Sequence, residues 1–209
     1  MNQSQGVTTT TFHNQVPAGT VMSAASPVEQ NVNSGMEKVP FTISIFTENR
    51  IGLLHRIITV FTRRHLSINS FTTSETEVPG IYRFIVAIET NREQVEKIRK
   101  QLEKVIGVIR AFALRQEDMV QQELALYKLR TDKLANGNLE KIIRDNNARV
   151  LSFESDYIMI EKTGHPGDTI DLFHKLEPFG VLGFSRSGII AISKNPLLSP
   201  EDRAAIKGE

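Results

Sequence analysis

The sequence contains no cysteine and no tryptophan, and it has only three tyrosines. The lack of cysteine excludes disulfides and thiolate metal sites and favours a cytoplasmic protein. Because Trp is absent and Tyr is scarce, base stacking has little to work with. No apolar run reaches the roughly 20 residues that a membrane-spanning helix needs. The net charge of +1 argues against general electrostatic binding to nucleic acid or a membrane.

The chain has 209 residues, of which 40% are hydrophobic, and this length favours one or two modest domains. Residues 1–39 differ from the rest because they are rich in Thr, Ser, Asn, Gln and Gly and contain no Lys or Arg before Lys38. That composition matches neither a secretory signal nor a transit peptide, and it predicts a disordered tail. Met36 is an alternative start.

The pattern from residue 40 to 116 predicts a ferredoxin-like unit. "FTISIF" alternates as a half-buried strand does. The helix that follows, expected to end near residue 64 or 65, has a predicted buried face of Leu54, Ile57, Ile58 and Phe61. Strands "INSFTTSET" and "IYRFIVAIE", a helix with a capping box at Thr90–Glu93 and strand "VIRAFALR" complete a β-α-β-β-α-β order.

Residues 120–194 repeat this order in a less regular form. Strand "ELALYKLR" is joined to the first unit through residues 115–120, and "NLEKIIRDN" follows as a short helix. "RVLSF" and "YIMIEK" read as paired strands, residues 168–177 as a helix, and "VLGFSRSGIIAIS" as a strand with a turn or bulge at Gly188. The predicted fold class is therefore α+β, with two consecutive β-α-β-β-α-β domains and a frayed end at 195–209.

The residues reveal no catalytic site of their own. The sequence contains no phosphate-binding loop, nucleophile elbow or paired-carboxylate motif, and no two of its five histidines have metal-ligand spacing. Asp168, Asp171 and His174 share one helical face, but acidic residues in a first helical turn are also favoured by the helix dipole. A basic cluster on the first helix lacks the interleaved aromatics of a nucleic-acid interface.

The junction "TENRIGLLHR" between the first strand and helix is the strongest candidate site. Asn49 is suited to capping the helix through its side-chain oxygen. Gly52 costs roughly 0.5–1 kcal/mol relative to alanine inside a helix, and a missing Cβ allows a carboxylate to approach the free amides of the first turn. With the Asn49 amide and apolar surface from Ile51 and Leu53, the junction suits a free aliphatic amino acid.

The runs "TENRIGLLHRI", "LSINSFT", "VIRAFALRQ" and "RSGIIAIS" resemble the small regulatory subunits of acetolactate synthase (acetohydroxyacid synthase). The resemblance covers residues 40–194 and identifies an N-terminal ACT domain, an amino-acid-binding module, followed by an ACT-like domain. It implies a noncatalytic subunit that activates a separate catalytic subunit and confers feedback inhibition by a branched-chain amino acid, most often valine. Thiamine diphosphate, Mg and FAD are implied on that catalytic subunit and not on this one.

The resemblance also implies where the effector binds, between the ACT domains of a homodimer. One copy supplies Asn49 and Gly52, and the other supplies Ser67 and Ile68. The family often has asparagine at the position of Ser67, so effector affinity and preference are expected to differ here. Arg186 matches a recurring family motif in the second domain, and the resemblance implies a contact between it and the catalytic subunit.

A ferredoxin-like sheet leaves its second strand at an edge, where it can pair with a copy of itself. A pocket at such an interface couples ligand binding to domain position. Two other functions remain open. One is a free-standing ACT amino-acid sensor that regulates another enzyme. The other is a ferredoxin-like nucleic-acid-binding protein, for which Tyr82 and Phe84 on the third strand are the available aromatics.

Overall fold

The computed structural model describes residues 37–132 and 138–196. The predicted N-terminal tail and frayed C-terminal end therefore lie almost wholly outside the described residues. The first unit comprises β1 (Val39–Glu48), α1 (Leu53–Thr62), β2 (Ile68–Glu75), β3 (Ile81–Thr90), α2 (Arg92–Leu102) and β4 (Val108–Arg115). The second unit comprises β5 (Met119–Arg130), α3 (Leu139–Asp145), β6 (Arg149–Phe153), β7 (Tyr157–Gly164), α4 (Pro166–Leu176), β8 (Val181–Arg186) and β9 (Ile190–Ser193).

Each unit forms an antiparallel sheet, with strand order β2-β3-β1-β4 in the first and β6-β7-β5-β8 in the second. These orders confirm the two consecutive β-α-β-β-α-β units and place β2 at an edge, as the topology predicted. Among the described residues no helix is both long and apolar enough to cross a membrane.

The helix α1 packs on one face of the first sheet, but its buried face differs from the predicted one. The buried residues are Leu53, Ile57, Val60 and Phe61. Leu54 is 45% exposed and Ile58 is 38% exposed, so the prediction that both are buried was wrong. The helix also ends at residue 62, two or three residues earlier than expected. An apolar stripe on α1 is therefore left uncovered in the single chain.

The helix α2 begins one residue away from the predicted capping box. Its N-cap is Asn91, whose side-chain oxygen accepts a hydrogen bond from the Gln94 amide at 2.8 Å. Thr90 is instead buried at the end of β3, where its hydroxyl bonds the Gln94 side chain. The prediction of Thr90 as the cap was wrong because asparagine, which is also a strong N-cap residue, directly follows it.

The strand β5 is four residues longer than predicted. Its first part, Met119–Gln122, pairs with β9, and its second part pairs with β7 and β8. The segment expected to be a simple linker therefore belongs to a two-stranded β5–β9 ribbon. This ribbon packs against the face of the first sheet that carries no helix, through a small core of Ile85, Leu114, Met119 and Ala191.

Arg83 strengthens the contact between the ribbon and the first sheet. Its guanidinium donates to the backbone oxygen of Ala191 in β9 and to the hydroxyl of Ser44 in β1, the latter at 3.2 Å. Burial lowers the pKa of Arg83 below its ordinary value, while the carboxylate of Glu77 opposes that shift. A buried guanidinium requires hydrogen-bond acceptors. The backbone oxygen of Ala191 in the second unit is one such acceptor for Arg83 of the first.

Candidate functional site

The β1–α1 junction is held by backbone contacts and not by an asparagine cap. The amide of Asn49 donates to the carbonyl oxygen of Gly80, and the amide of Glu48 donates to that of Gly107, both at 2.9 Å. The N-cap of α1 is Gly52, and no side chain caps this helix. The prediction that Asn49 caps the helix was therefore wrong, because the helix begins three residues further along the chain.

Gly52 has φ +78° and ψ 0°, which lies in the left-handed region that L-residues rarely adopt. This conformation supplies a local reason for the glycine that the sequence pattern did not show. A Cβ built on Gly52 would meet no atom within 4 Å, so the space in front of the junction is open. The glycine therefore serves the backbone turn and also leaves room for a ligand.

The first turn of α1 presents free backbone donors to that space. The amide of Leu53 bonds the carbonyl of Arg50 at 3.2 Å, and Arg56 is the first residue whose amide bonds back to Gly52. The amides of Leu54 and His55 between them have no i−4 acceptor in the helix. The first turn contains no acidic side chain, so the local field favours an anion.

Apolar side chains surround the open junction, although not all of the predicted ones. Ile51 is fully exposed, and the exposed faces of Leu54 and Ile58 continue from it along α1. Leu53 is only 2% exposed and lies in the core of the first unit. The expectation that the Leu53 side chain lines the site was therefore wrong; Leu53 anchors the junction, and Leu54 supplies exposed apolar surface in its place.

Ser67 and Ile68 lie at the opposite end of the sheet from the junction. Glu48 pairs with Ile81 of β3, whereas Ile68 pairs with Ile88 of the same strand. Seven residues of strand separate these positions, or about 23 Å at 3.3 Å per residue. A single chain therefore does not bring Asn49 and Gly52 together with Ser67 and Ile68.

Arg186 contacts the interior of its own chain. Its guanidinium Nη1 lies 3.3 Å from a carboxylate oxygen of Glu123, which is buried and also accepts the hydroxyl hydrogen bond of Thr169. Sequence reasoning missed Glu123, although the alternation of β5 contains the signal. Glu123 has the same parity as the buried Ala125 and Tyr127, so it points inward, and a buried carboxylate requires a cationic or hydrogen-bonding partner.

Arg186 also borders a cleft between the two units. The cleft has a volume of about 580 Å³, and its walls include Phe41 and Ile88 of the first sheet, Met119 of β5, and the Arg186–Ile189 segment. The one cation in its lining, Arg186, is the partner of the buried carboxylate. The cleft is therefore close to neutral and unlike the anion-accepting end of α1.

Two other sequence candidates have structural roles. Asp168 accepts a hydrogen bond from the His165 amide at 3.2 Å at the start of α4, and His174 pairs with Glu177. No group of three metal-ligating side chains is found within residues 37–132 and 138–196. On β3, Phe84 is buried and packs against Phe71 at 5.6 Å between ring centroids, so it is not available for stacking on a base.

The chain matches two family models, one in each unit. Residues 43–110 match the AHAS small subunit-like ACT domain, and residues 122–195 match the small subunit of acetolactate synthase. The Mycolicibacterium smegmatis acetolactate synthase small subunit is 31% identical over 155 residues, which cover 74% of this chain and 91% of that protein. The Bacillus subtilis small subunit is 33% identical over 154 residues, covering 73% and 89%.

A crystal structure of the acetolactate synthase small subunit from Thermotoga maritima has the same fold. It superimposes with a TM-score of 0.69 at 24% identity, covering 76% of this chain and 99% of that one. The sequence relationships extend over both units and nearly the full length of the curated relatives. The chain therefore belongs to the family of acetolactate synthase small subunits.

Proposed function

We propose that this protein is a cytoplasmic regulatory subunit that activates the catalytic subunit of acetolactate synthase and confers feedback inhibition by a branched-chain amino acid, with valine as the expected effector. The observation that carries the proposal is the open, glycine-capped end of α1, where free amides lie beside exposed aliphatic side chains. Membership of the small-subunit family supports the same role. Thiamine diphosphate, Mg and FAD belong to the catalytic subunit in this proposal.

The effector has a place for each of its groups at this end of α1. Its carboxylate accepts hydrogen bonds from the first-turn amides next to Gly52. Its ammonium group lies near the side-chain oxygen of Asn49, which is exposed and not used as a helix cap. Its aliphatic side chain packs against Ile51, whose full exposure in the single chain leaves apolar surface to bury.

A second copy of the chain completes the site by pairing of the β2 edges. If two β2 strands pair antiparallel, the Ile68 end of one lies beside the Glu75 end of the other. Glu75 pairs with Tyr82, and Tyr82 pairs with Thr47, two residues before Asn49. This pairing would bring Ser67 and Ile68 of the second copy to the side of the sheet that bears the junction, and the intrachain separation of about 23 Å supports the need for a second copy.

Calorimetric titration with valine, leucine and isoleucine tests effector binding. We expect at least one of them to bind the wild-type protein and Gly52→Asp to abolish that binding, because the new carboxylate fills the open space and repels the ligand carboxylate. Gly52→Asn is the matched control for charge, since it has the same size and tolerates the left-handed conformation; it should weaken binding less than Gly52→Asp does. Gly180→Asp, at φ +75° in the second unit, controls for strain and charge away from the junction.

Activation of the catalytic subunit and feedback inhibition can be measured separately in a reconstituted enzyme. Added to an acetolactate synthase catalytic subunit, the protein should raise its activity, and the effector should lower it again. Absence of binding to wild type, with and without the catalytic subunit, contradicts the effector site. Effector binding without any change in catalytic activity contradicts the assignment to this enzyme and favours a free-standing sensor.

A further inference from the structure

The segment between β8 and β9 makes two hydrogen bonds to the edge strand β2 of the first unit. The hydroxyl of Thr72 donates to the carbonyl oxygen of Ile189 at 2.6 Å, and the amide of Ile189 donates to the hydroxyl of Ser70 at 2.9 Å. The backbone N–H and C=O of Ile189 are thus both hydrogen-bonded to side chains about 120 residues away in the sequence. Ser70 is only two residues beyond Ile68, where the proposed effector loop enters β2.

Gly188 is required for this close approach. It has φ +79°, and a Cβ at this position would lie 2.9 Å from Ser70 Oγ and 2.9 Å from Thr72 Cγ2. Real Cβ atoms do not tolerate such distances, so a side chain here would displace either the segment or the Ser70 and Thr72 side chains that bond Ile189. The predicted single strand with a turn or bulge at Gly188 is in fact two strands, β8 and β9, and Gly188 lies in the bulge that separates them.

The same bulge is fixed to the second unit on its other side. Ser187 and Leu124 of β5 exchange two hydrogen bonds: the Ser187 amide donates to the Leu124 carbonyl at 2.9 Å, and the Leu124 amide donates to the Ser187 hydroxyl at 3.0 Å. Arg186 is held one residue earlier by the buried Glu123. The bulge is therefore bonded both to β2 and to β5, an interior strand of the second sheet.

We propose that the Gly188–Ile189 bulge is a positioning element that transmits effector binding from β2 to the second unit. The proposal rests on the proposed function, because it concerns regulation through the same effector site. The effector and the second copy both act on β2, an edge strand whose ladder partner within the chain is β3. The bonds to Ile189 connect β2 directly to the second unit. Effector binding at β2 therefore changes the free energies of the alternative positions that the second unit can take relative to the first.

The test removes the two hydroxyl groups while keeping the shape of the strand. In the Ser70→Ala/Thr72→Val variant, we expect the dissociation constant of the effector to stay within about twofold of wild type. The maximal inhibition of the reconstituted enzyme should fall to less than half, while activation is retained. Thr73→Val is the matched control, because Thr73 is an exposed neighbour on the same strand that points away from the bulge, and it should behave as wild type.

Amide hydrogen exchange provides a second readout that does not depend on enzyme activity. The Ile189 amide should exchange faster in the double variant than in wild type, and effector should change its exchange in wild type only. Gly188→Ala disrupts the same contact from the other side and should reproduce the loss of inhibition, whereas Gly180→Ala, also at a left-handed φ of +75°, should not.

The outcomes separate this proposal from the proposed function. If wild type binds no effector, the effector site is wrong and the coupling falls with it. If effector binds and the double variant keeps full maximal inhibition, the coupling alone is wrong. Effector binding that leaves Ile189 exchange unchanged in wild type also overturns the coupling.

Discussion

Alanine substitutions at three glycines separate the cost of backbone strain from the cost of a close contact. Gly52, Gly80 and Gly188 have nearly the same φ, at +78°, +80° and +79°, all in the left-handed region. Their surroundings differ, because a Cβ meets nothing within 4 Å at Gly52 or Gly80 but lies 2.9 Å from two side-chain atoms, one each of Ser70 and Thr72, at Gly188.

The expected losses of unfolding free energy follow from the cost of the left-handed backbone conformation and the cost of a close contact. A residue with a Cβ costs roughly 1–2 kcal/mol in the left-handed conformation. Gly52→Ala and Gly80→Ala should therefore each lose about 1–2 kcal/mol. Overpacking adds about 1–3 kcal/mol where the surroundings must shift. Gly188→Ala should accordingly lose about 2–5 kcal/mol.

Urea unfolding followed by far-ultraviolet circular dichroism measures these differences, with midpoints compared at a common m-value. Gly52→Asn and Gly80→Asn are the controls and should lose less than the alanine variants, since asparagine adopts the left-handed conformation more readily. A Gly188→Ala loss within 0.5 kcal/mol of the Gly52→Ala loss would show that β2 and the bulge are not in close contact. Losses near zero at Gly52 and Gly80 would contradict their left-handed conformation.

Two further predictions use the same unfolding assay. Asn91→Ala should lose about 1 kcal/mol of unfolding free energy, because the Asn91 side chain caps α2. Asn49→Ala should change it by less than about 0.5 kcal/mol, because Asn49 caps no helix. Equal losses in the two variants would contradict these roles. Burial, together with the carboxylate of Glu123, raises the pKa of Tyr127 above the usual value of about 10. The contribution of Tyr127 to stability should therefore be fully present below about pH 10 and decline as the pH rises further. Tyr127→Phe should remove that decline while losing about 1 kcal/mol at neutral pH with the hydrogen bond to Thr169, and an unchanged alkaline decline would refute the burial argument.

The order of elements was predictable from the sequence because it is written in local patterns. Alternation of apolar residues predicts strands at segments such as "FTISIF" and "RVLSF". Helical spacing of apolar residues predicts the helices, and neither pattern needs tertiary information. The edge position of β2 also followed, since the β-α-β-β-α-β order in a ferredoxin-like sheet admits few topologies.

The rotation of α1 about its axis was not predictable in the same way. Leu53, Leu54, Ile57 and Ile58 offer two overlapping apolar faces, and the spacing does not decide between them. The left-handed turn at Gly52 sets where the helix begins and hence which face meets the sheet. That choice leaves Leu54 and Ile58 exposed beside the candidate effector site.

The contact between the units was hidden because it depends on residues far apart in the chain. The β5–β9 pairing brings together Val120 and Ile192, which are far apart in the sequence. Because Gln121 and Gln122 interrupt the apolar pattern of β5, the start of that strand resembles a linker. The bonds from Ser70 and Thr72 to Ile189 likewise leave no local signal, because serine and threonine are equally suited to a solvated edge strand.

Gly52 and Gly188 show why glycine conformation alone does not assign function. Both have the same φ, yet only Gly188 has a neighbour within its own chain that excludes a side chain. For Gly52 the left-handed turn suffices within one chain, so any further requirement for glycine must come from a molecule outside it. A larger loss of effector binding than of stability in Gly52→Asn, relative to Gly180→Asn at φ +75°, is the result that would assign that second requirement to the ligand.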